Sequence, residues 1–203
     1  MLLNQQRGES NSDPRVRRTR QLLRSSLMEL LKEKPFRSIT VQEIADRATV
    51  NRVTFYAHFE NKDALLEHTM AEMIRQHLRS RIPEGTPFSS EGIGLLTRTV
   101  CEFLAGMDRQ CPPPHGQMET LMEKQIKVEV YELLRTWITE GAGGEEGRHP
   151  TPEQAAMIST WAIHGAAVQW TRNERAKPVE EYVQEVLPLV LASLQPLTTA
   201  VSS

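Results

Sequence analysis

Arg52, Val53, Thr54, Tyr56 and His58 fall within a single short stretch, and their side chains suit contact with a nucleic-acid duplex. Arg, Thr, Tyr and His donate hydrogen bonds to phosphate oxygens, while Arg and small side chains also reach base edges in the major groove. Arg15, Arg17, Arg18 and Arg20 cluster upstream, at the start of a predicted helix. Downstream, Asn61 can cap a further helix with Lys62 in its first turn, and a free helix N-terminus beside a lysine attracts phosphate. Two capped helices can equally form a hairpin that only packs, so the flanking cations decide for nucleic acid.

Those side chains face outward only if others hold the segment down. Thr40 and Glu43 have the spacing of a capping box, flanked by Ile39 and Ile44 as a hydrophobic staple. This predicts a helix from Val41, with Val41, Ile44, Ala45 and Ala48 on one face. After a break at Thr49 and Val50, Asn51 caps a second helix, with Val50 and Phe55 as its staple and Phe55 and Phe59 buried on one side. Val16, Leu23, Leu27 and Leu30 mark the core face of an earlier helix ending near Pro35, and Leu66, Met70, Met73 and Ile74 that of a fourth. No glycine occurs between Gly8 and Gly85, so helices follow one another with few interruptions.

From Arg17 to about Leu78 the chain resembles the DNA-binding region of the TetR (tetracycline-repressor) family of bacterial regulators. The likeness rests on the long first helix, Thr40, the V-x-x-I-A run Val41 to Ala45, the T-F-Y-x-H-F run Thr54 to Phe59, and Asn61-Lys62-Asp63-Ala64-Leu65-Leu66. It implies an all-α fold: a mobile tail over 1–13, an N-terminal three-helix helix-turn-helix DNA-binding domain over 14–60, and a larger helical ligand-binding and dimerisation domain over 61–203. It further implies phosphate contacts at Thr40, Tyr56, His58 and Lys62 and groove contacts at Arg52, Val53 and Thr54, with Arg17 in the same DNA-facing set. Lys62 should then support all sequences alike, and Arg52 should also select among them. The implied function is a dimeric repressor, released from a near-palindromic double-stranded operator by a small-molecule inducer. A non-DNA-binding co-regulator on the same scaffold is the alternative. Two residues depart from the family pattern: Thr49 stands where a turn glycine is usual, and Val53 where a small residue or glycine is usual.

Charge divides along the chain in the same sense. Pro14 to Arg81 hold 14 Lys plus Arg against 8 Asp plus Glu, whereas from Ile82 onward there are 9 against 16. A basic module joined to an acidic one favours nucleic acid at one end and repels it at the other. No apolar run approaches the roughly 20 residues of a membrane helix, and the polar N-terminus lacks a secretory h-region, so a cytoplasmic location without a membrane partner is expected. Cys101 and Cys111 are too few for a disulfide framework and lack metal-ligand spacing; they read as buried or half-buried thiols, with a redox pair as the alternative. No nucleophile elbow, phosphate-loop glycine run or paired-histidine metal motif occurs, and Gly92-Ile93-Gly94 lacks the third glycine of a dinucleotide site. Accordingly no catalytic residue, metal or cofactor is predicted.

The second half offers less. Pro83, Gly85 and Pro87 form a linker, a helix follows through Ile93, Leu96, Val100, Phe103 and Leu104, and Pro112 to Pro114 break the chain before the helical period resumes from Met118 to Trp137. Glycines 141, 143, 144 and 147 make a surface loop ahead of two final helices. The first of these, from Thr151 to about Arg175, is apolar almost all round and is expected to be buried on both sides. The second carries a stripe from Val179 to Leu194 with Pro188 bending it. Family resemblance implies that these two helices pair with their copies as a homodimer, with Gly165, Ala166 and Ala167 permitting close approach; the alternative is that they form only the core of one chain. For the inducer, Phe103, Met107, Met118, Met122, Gln125, Trp137, Trp161 and His164 combine a soft apolar lining with a few polar groups, though each also suits an ordinary core.

Val53 can present its methyl groups to a thymine. Replacing it with glycine should therefore alter base preference across operator variants, read as relative affinities; an unchanged preference would sink the idea.

Overall fold

The computed structural model describes residues 13–110, 116–141, 150–173 and 176–194, and among them the chain forms eight α-helices, one 3-10 turn and no strand. Helix α1 (Pro14–Glu33) starts where the Asp13 carboxylate accepts from the Arg15 amide at 2.8 Å and Pro14 fills a first-turn position that needs no N–H. Leu23, Leu27 and Leu30 bury its inner face, while Val16 is only half-buried. A 3-10 turn at Phe36–Ser38 leads to α2 (Val41–Arg47). Here the expected capping box is complete: the Glu43 amide donates to Thr40 Oγ1 at 3.2 Å and the Thr40 amide returns to Glu43 Oε2 at 2.9 Å.

The turn after α2 answers how Thr49 is accommodated. The Val50 amide donates to the Ala45 carbonyl at 2.9 Å and the Thr49 amide to the Asp46 carbonyl at 3.1 Å, the paired bonds of a Schellman C-cap. That motif places Thr49 at φ 57°, in the left-handed region where a β-branched side chain is strained. Helix α3 (Arg52–His58) follows at once, and α4 (Lys62–Arg81) is capped by Asn61 Oδ1, which accepts from the Ala64 amide at 2.8 Å.

Compact packing divides the chain into two units between Thr69 and Met70, so α4 begins in the first and continues in the second. In the second unit, Gly85 turns the linker at φ 80°, and α5 (Ser90–Gln110) begins at a tight corner where a Cβ on Gly92 would stand 2.6 Å from the Pro87 carbonyl. Helix α7 (Pro152–Arg172) packs against α5, α6 (Gly116–Gly141) and α8 (Val179–Ala192). Its Ala155, Ala156, Ser159, Ile163 and Ala167 are buried against them. Buried hydroxyls are satisfied locally: Thr97, Thr99 and Thr160 each donate to the carbonyl four residues earlier. Pro188 lies inside α8, and Tyr182 fixes that helix to α7 by donating to the Ala166 carbonyl at 2.9 Å.

One expectation is corrected within the single chain. Helix α7 is not buried on both sides, because Met157, Ile158 and Trp161 are 48%, 53% and 59% exposed on its outer face. No helix among the described residues is long and apolar enough to cross a membrane. Of the expected tail over 1–13, Asp13 is the cap of α1; residues 1–12, the Pro112 to Pro114 break, Cys111 and the loop glycines 143, 144 and 147 lie outside the described residues.

Replacing Thr49 with glycine should relieve the left-handed strain and stabilise the fold by about 1 kcal/mol. A urea midpoint that rises at constant m-value would show this; a lowered midpoint would mean the turn is unstrained.

Candidate nucleic-acid interface

Helix α3 is set from both its start and its inner side. Asn51 Oδ1 accepts from the Thr54 amide at 2.7 Å and from the Thr54 hydroxyl at 3.0 Å. Phe55 is fully buried, Phe59 nearly so, and their rings lie 6.1 Å apart. Arg52, Val53 and Tyr56 are thereby left on the exposed side, with Val53 78% accessible, while Thr54 and His58 are half-buried. Arg52 leans along the helix: its guanidinium donates to the Tyr56 hydroxyl at 3.4 Å and sits 5.8 Å from that ring. No carboxylate pairs with it among the described residues. Arg17 is exposed on the early turns of α1.

Two acids of this unit, Glu33 and Glu43, are engaged away from α3. Glu43 accepts from Lys34, and that bond, with the Thr40 amide and hydroxyl, holds its carboxyl down to about 2. Glu33 accepts from Arg47, tying α1 to α2 and lowering its own pKa. Thr40 is exposed, but its hydroxyl donates to Glu43 Oε2 at 2.9 Å, so a phosphate would have to compete for that proton. His58 is pushed below the usual histidine value, first by burial and then by Arg20, and so offers one N–H near neutral pH.

Lys62, expected at a phosphate, is already engaged. Its ammonium donates to the carbonyls of Phe36, Arg37 and Ile39 at 3.1, 3.1 and 2.7 Å. This contact spans more than twenty residues and has no counterpart in local sequence spacing. Lys34 on Glu43, nine residues apart, likewise has no counterpart in helical spacing.

In the second unit the residues expected to line a ligand site are dispersed. Phe103 lines a cavity of about 10 Å³ with Ile74, His77, Leu78, Val100, Ile126 and Val130, room for a single water. Its ring stacks 5.1 Å from His77, a residue missed by the sequence reading, whose buried Nε2 has no hydrogen-bond partner among the described residues. Met122, Gln125 and Trp137 are buried. His164 is also buried, and its Nε2 stands 3.7 Å from Glu123 Oε1, too far for a hydrogen bond. Trp161 is not in the interior at all: it lies on the outer face of α7 with the Lys127 ammonium 4.3 Å above its ring. The side chains of Met107 and Met118 lie outside the described residues.

Residues 23–69 match the family model described as bacterial regulatory proteins, tetR family. YxbF, an uncharacterised HTH-type transcriptional regulator of Bacillus subtilis strain 168, is 38% identical over 60 residues, a span of 29% of this chain and 16% of that relative. Among solved structures, a TetR transcriptional regulator from Rhodococcus sp. RHA1 is similar at TM-score 0.54 and 20% identity over 86% of this chain and 96% of its own. FadR from Bacillus subtilis in complex with stearoyl-CoA is similar at TM-score 0.52 and 20% identity over 85% and 98%. At such identity the likeness is one of fold.

Burial holds His58, His77 and His164 below the ordinary histidine value of 6.5. The folded chain therefore binds fewer protons than the unfolded one below that pH, and the stability these groups contribute, present above 6.5, is lost as pH falls through their lowered values. Glu33 and Glu43, shifted further down, stay ionised throughout. Melting should occur at lower temperature near pH 5.5 than near pH 7.5, and His164→Gln should narrow the gap. A midpoint flat or rising toward acid would contradict this assignment.

Proposed function

We propose that this chain, whose residues 23–69 match the tetR family of bacterial regulatory proteins, is a dimeric repressor which leaves a near-palindromic operator when a small molecule binds. The observation that carries the reading is the outer face of α3, where Arg52, Val53, Thr54, Tyr56 and His58 stand around a buried Phe55 with no acid among them. Such a face fits the major groove, with Tyr56, His58, Thr40 and Arg17 on phosphates and Arg52, Val53 and Thr54 toward base edges.

Dimerisation is supported by what α7 and α8 leave uncovered. Met157, Ile158, Trp161 and Leu189 are large apolar side chains at 48%, 53%, 59% and 74% exposure. Gly165 follows Trp161 one turn later and is also exposed; a Cβ there meets nothing within 4 Å in the subunit. A second copy packed across this stripe would cover it, and a two-fold pair of α3 helices about 34 Å apart would read two half-sites on one duplex face.

An effector belongs to the second unit. FadR of Bacillus subtilis holds stearoyl-CoA, and the Phe103 cavity here is lined by apolar groups with His77 as a polar handle. At about 10 Å³ it is far below the roughly 300–1,000 Å³ of a ligand pocket, so binding requires it to open. The shared helix α4 is the element through which such opening reaches α3.

Binding to duplexes from the region beside its own gene, titrated with salt, tests the proposal. Wild type should bind as a dimer with log affinity falling linearly in log salt. Arg52→Ala should lose on the order of tenfold to a hundredfold and relax base choice. Gly165→Leu should keep its helicity yet run as a monomer by light scattering and bind weakly. A monomeric wild type, or one that ignores every genomic fragment at low salt, would overturn the reading and favour a co-regulator that docks on protein.

A further inference from the structure

We propose that Lys62 is a positioning residue of the reading head, a clamp between α4 and the start of α2, and not a phosphate contact. The proposal rests on the reading that α3 faces DNA. An ammonium has three protons, and here three carbonyl oxygens receive them: Phe36 at 3.1 Å, Arg37 at 3.1 Å and Ile39 at 2.7 Å. The same nitrogen lies 4.7 Å from the centre of the Phe36 ring, within cation–π range, and the Phe36 side chain is itself buried. A phosphate could take a proton only by displacing one of these carbonyls.

The carbonyls are not arbitrary. They belong to the 3-10 turn Phe36–Ser38 and to Ile39, the residue immediately before the Thr40 cap of α2. Neither the Arg37 nor the Ile39 carbonyl accepts a backbone bond from the turn or from α2, since the Glu43 amide goes to the Thr40 side chain. Lys62 therefore satisfies oxygens that would otherwise need water, and it does so from the first turn of a helix whose own cap is the adjacent Asn61. Its closure fixes where α2 begins, and α2 packs directly on α3. Convergence of three acceptors on one nitrogen suits a compact ammonium and not the planar fork of arginine.

Lys62→Arg and Lys62→Met separate the two roles. As a clamp, Lys62 is not rescued by arginine: both variants should lose at least about tenfold in affinity for the duplex that wild type binds, with the slope of log affinity against log salt unchanged. As a phosphate contact, arginine would restore binding and methionine would lower the slope by about 0.9, and either result would overturn the proposal. Because both variants can also loosen the fold, amine acylation of the wild-type chain, read by peptide mass spectrometry, gives an independent measure. Lys62 should react several-fold more slowly than exposed Lys32 in the free protein, and adding duplex should leave its rate unchanged. Equal rates in the free protein, or protection that appears only with duplex, would refute the clamp. If wild type bound no duplex, the DNA reading would fall, while slow acylation of free Lys62 would still support the clamp.

Discussion

A helix of seven residues does not persist alone in water, and α3 is such a helix. Its existence and its orientation depend on Phe55, which is fully buried between half-buried Thr54 and exposed Tyr56. Burying a phenylalanine stabilises by about 1.5 to 3 kcal/mol, and the Asn51 cap contributes about 1 more. Either exceeds anything the Arg52–Tyr56 contact on the outer face can supply. Rotation of α3 by a single position would bring Tyr56 inward and expose Phe55. The functional face is thus defined from inside, as the complement of one aromatic side chain.

Electrostatics act on what that packing leaves outside. In the first unit the carboxylates of Glu33 and Glu43 pair with Arg47 and Lys34. Exposed pairs of this kind contribute little to stability. Their larger consequence is distribution: Glu29, Glu33 and Glu43 are bound along the α1–α2 edge, while Arg52 and Arg17 have no carboxylate partner among the described residues. A duplex approaching α3 meets unopposed cations.

Legibility in the sequence follows the range of the interaction. The caps at Thr40, Asn51 and Asn61 each join residues three apart, so their spacing announces them, and the helices they start lie where expected. Thr49 was identified as an anomaly for the same reason, because a left-handed turn residue is a local requirement. Lys62 on the 36–39 carbonyls was hidden, since nothing in the residues near Lys62 marks a partner so distant. Trp161 illustrates a different limit. Apolar periodicity says that a side chain avoids water and not what covers it, so an apolar residue on an open face reads like a residue of the core. The Phe103 cavity was illegible for a related reason: the groups that line a closed cavity are those that line any core.

Helix α4 is fastened within each unit by a charged group that grips more than one acceptor. In the first unit Lys62 holds three carbonyls. In the second, Arg75 reaches both oxygens of Glu129 on α6, at 3.0 and 2.7 Å, and also Glu72 at 2.9 Å. Glu129 lies between Ile126 and Val130, two residues of the small cavity that also contains Ile74 and His77 from α4. Enlarging that cavity by parting α4 from α6 must therefore break two charge-assisted bonds together, and such a fork resists small displacements and yields to larger ones. The fork thus fastens α4 to α6 on the side of the cavity.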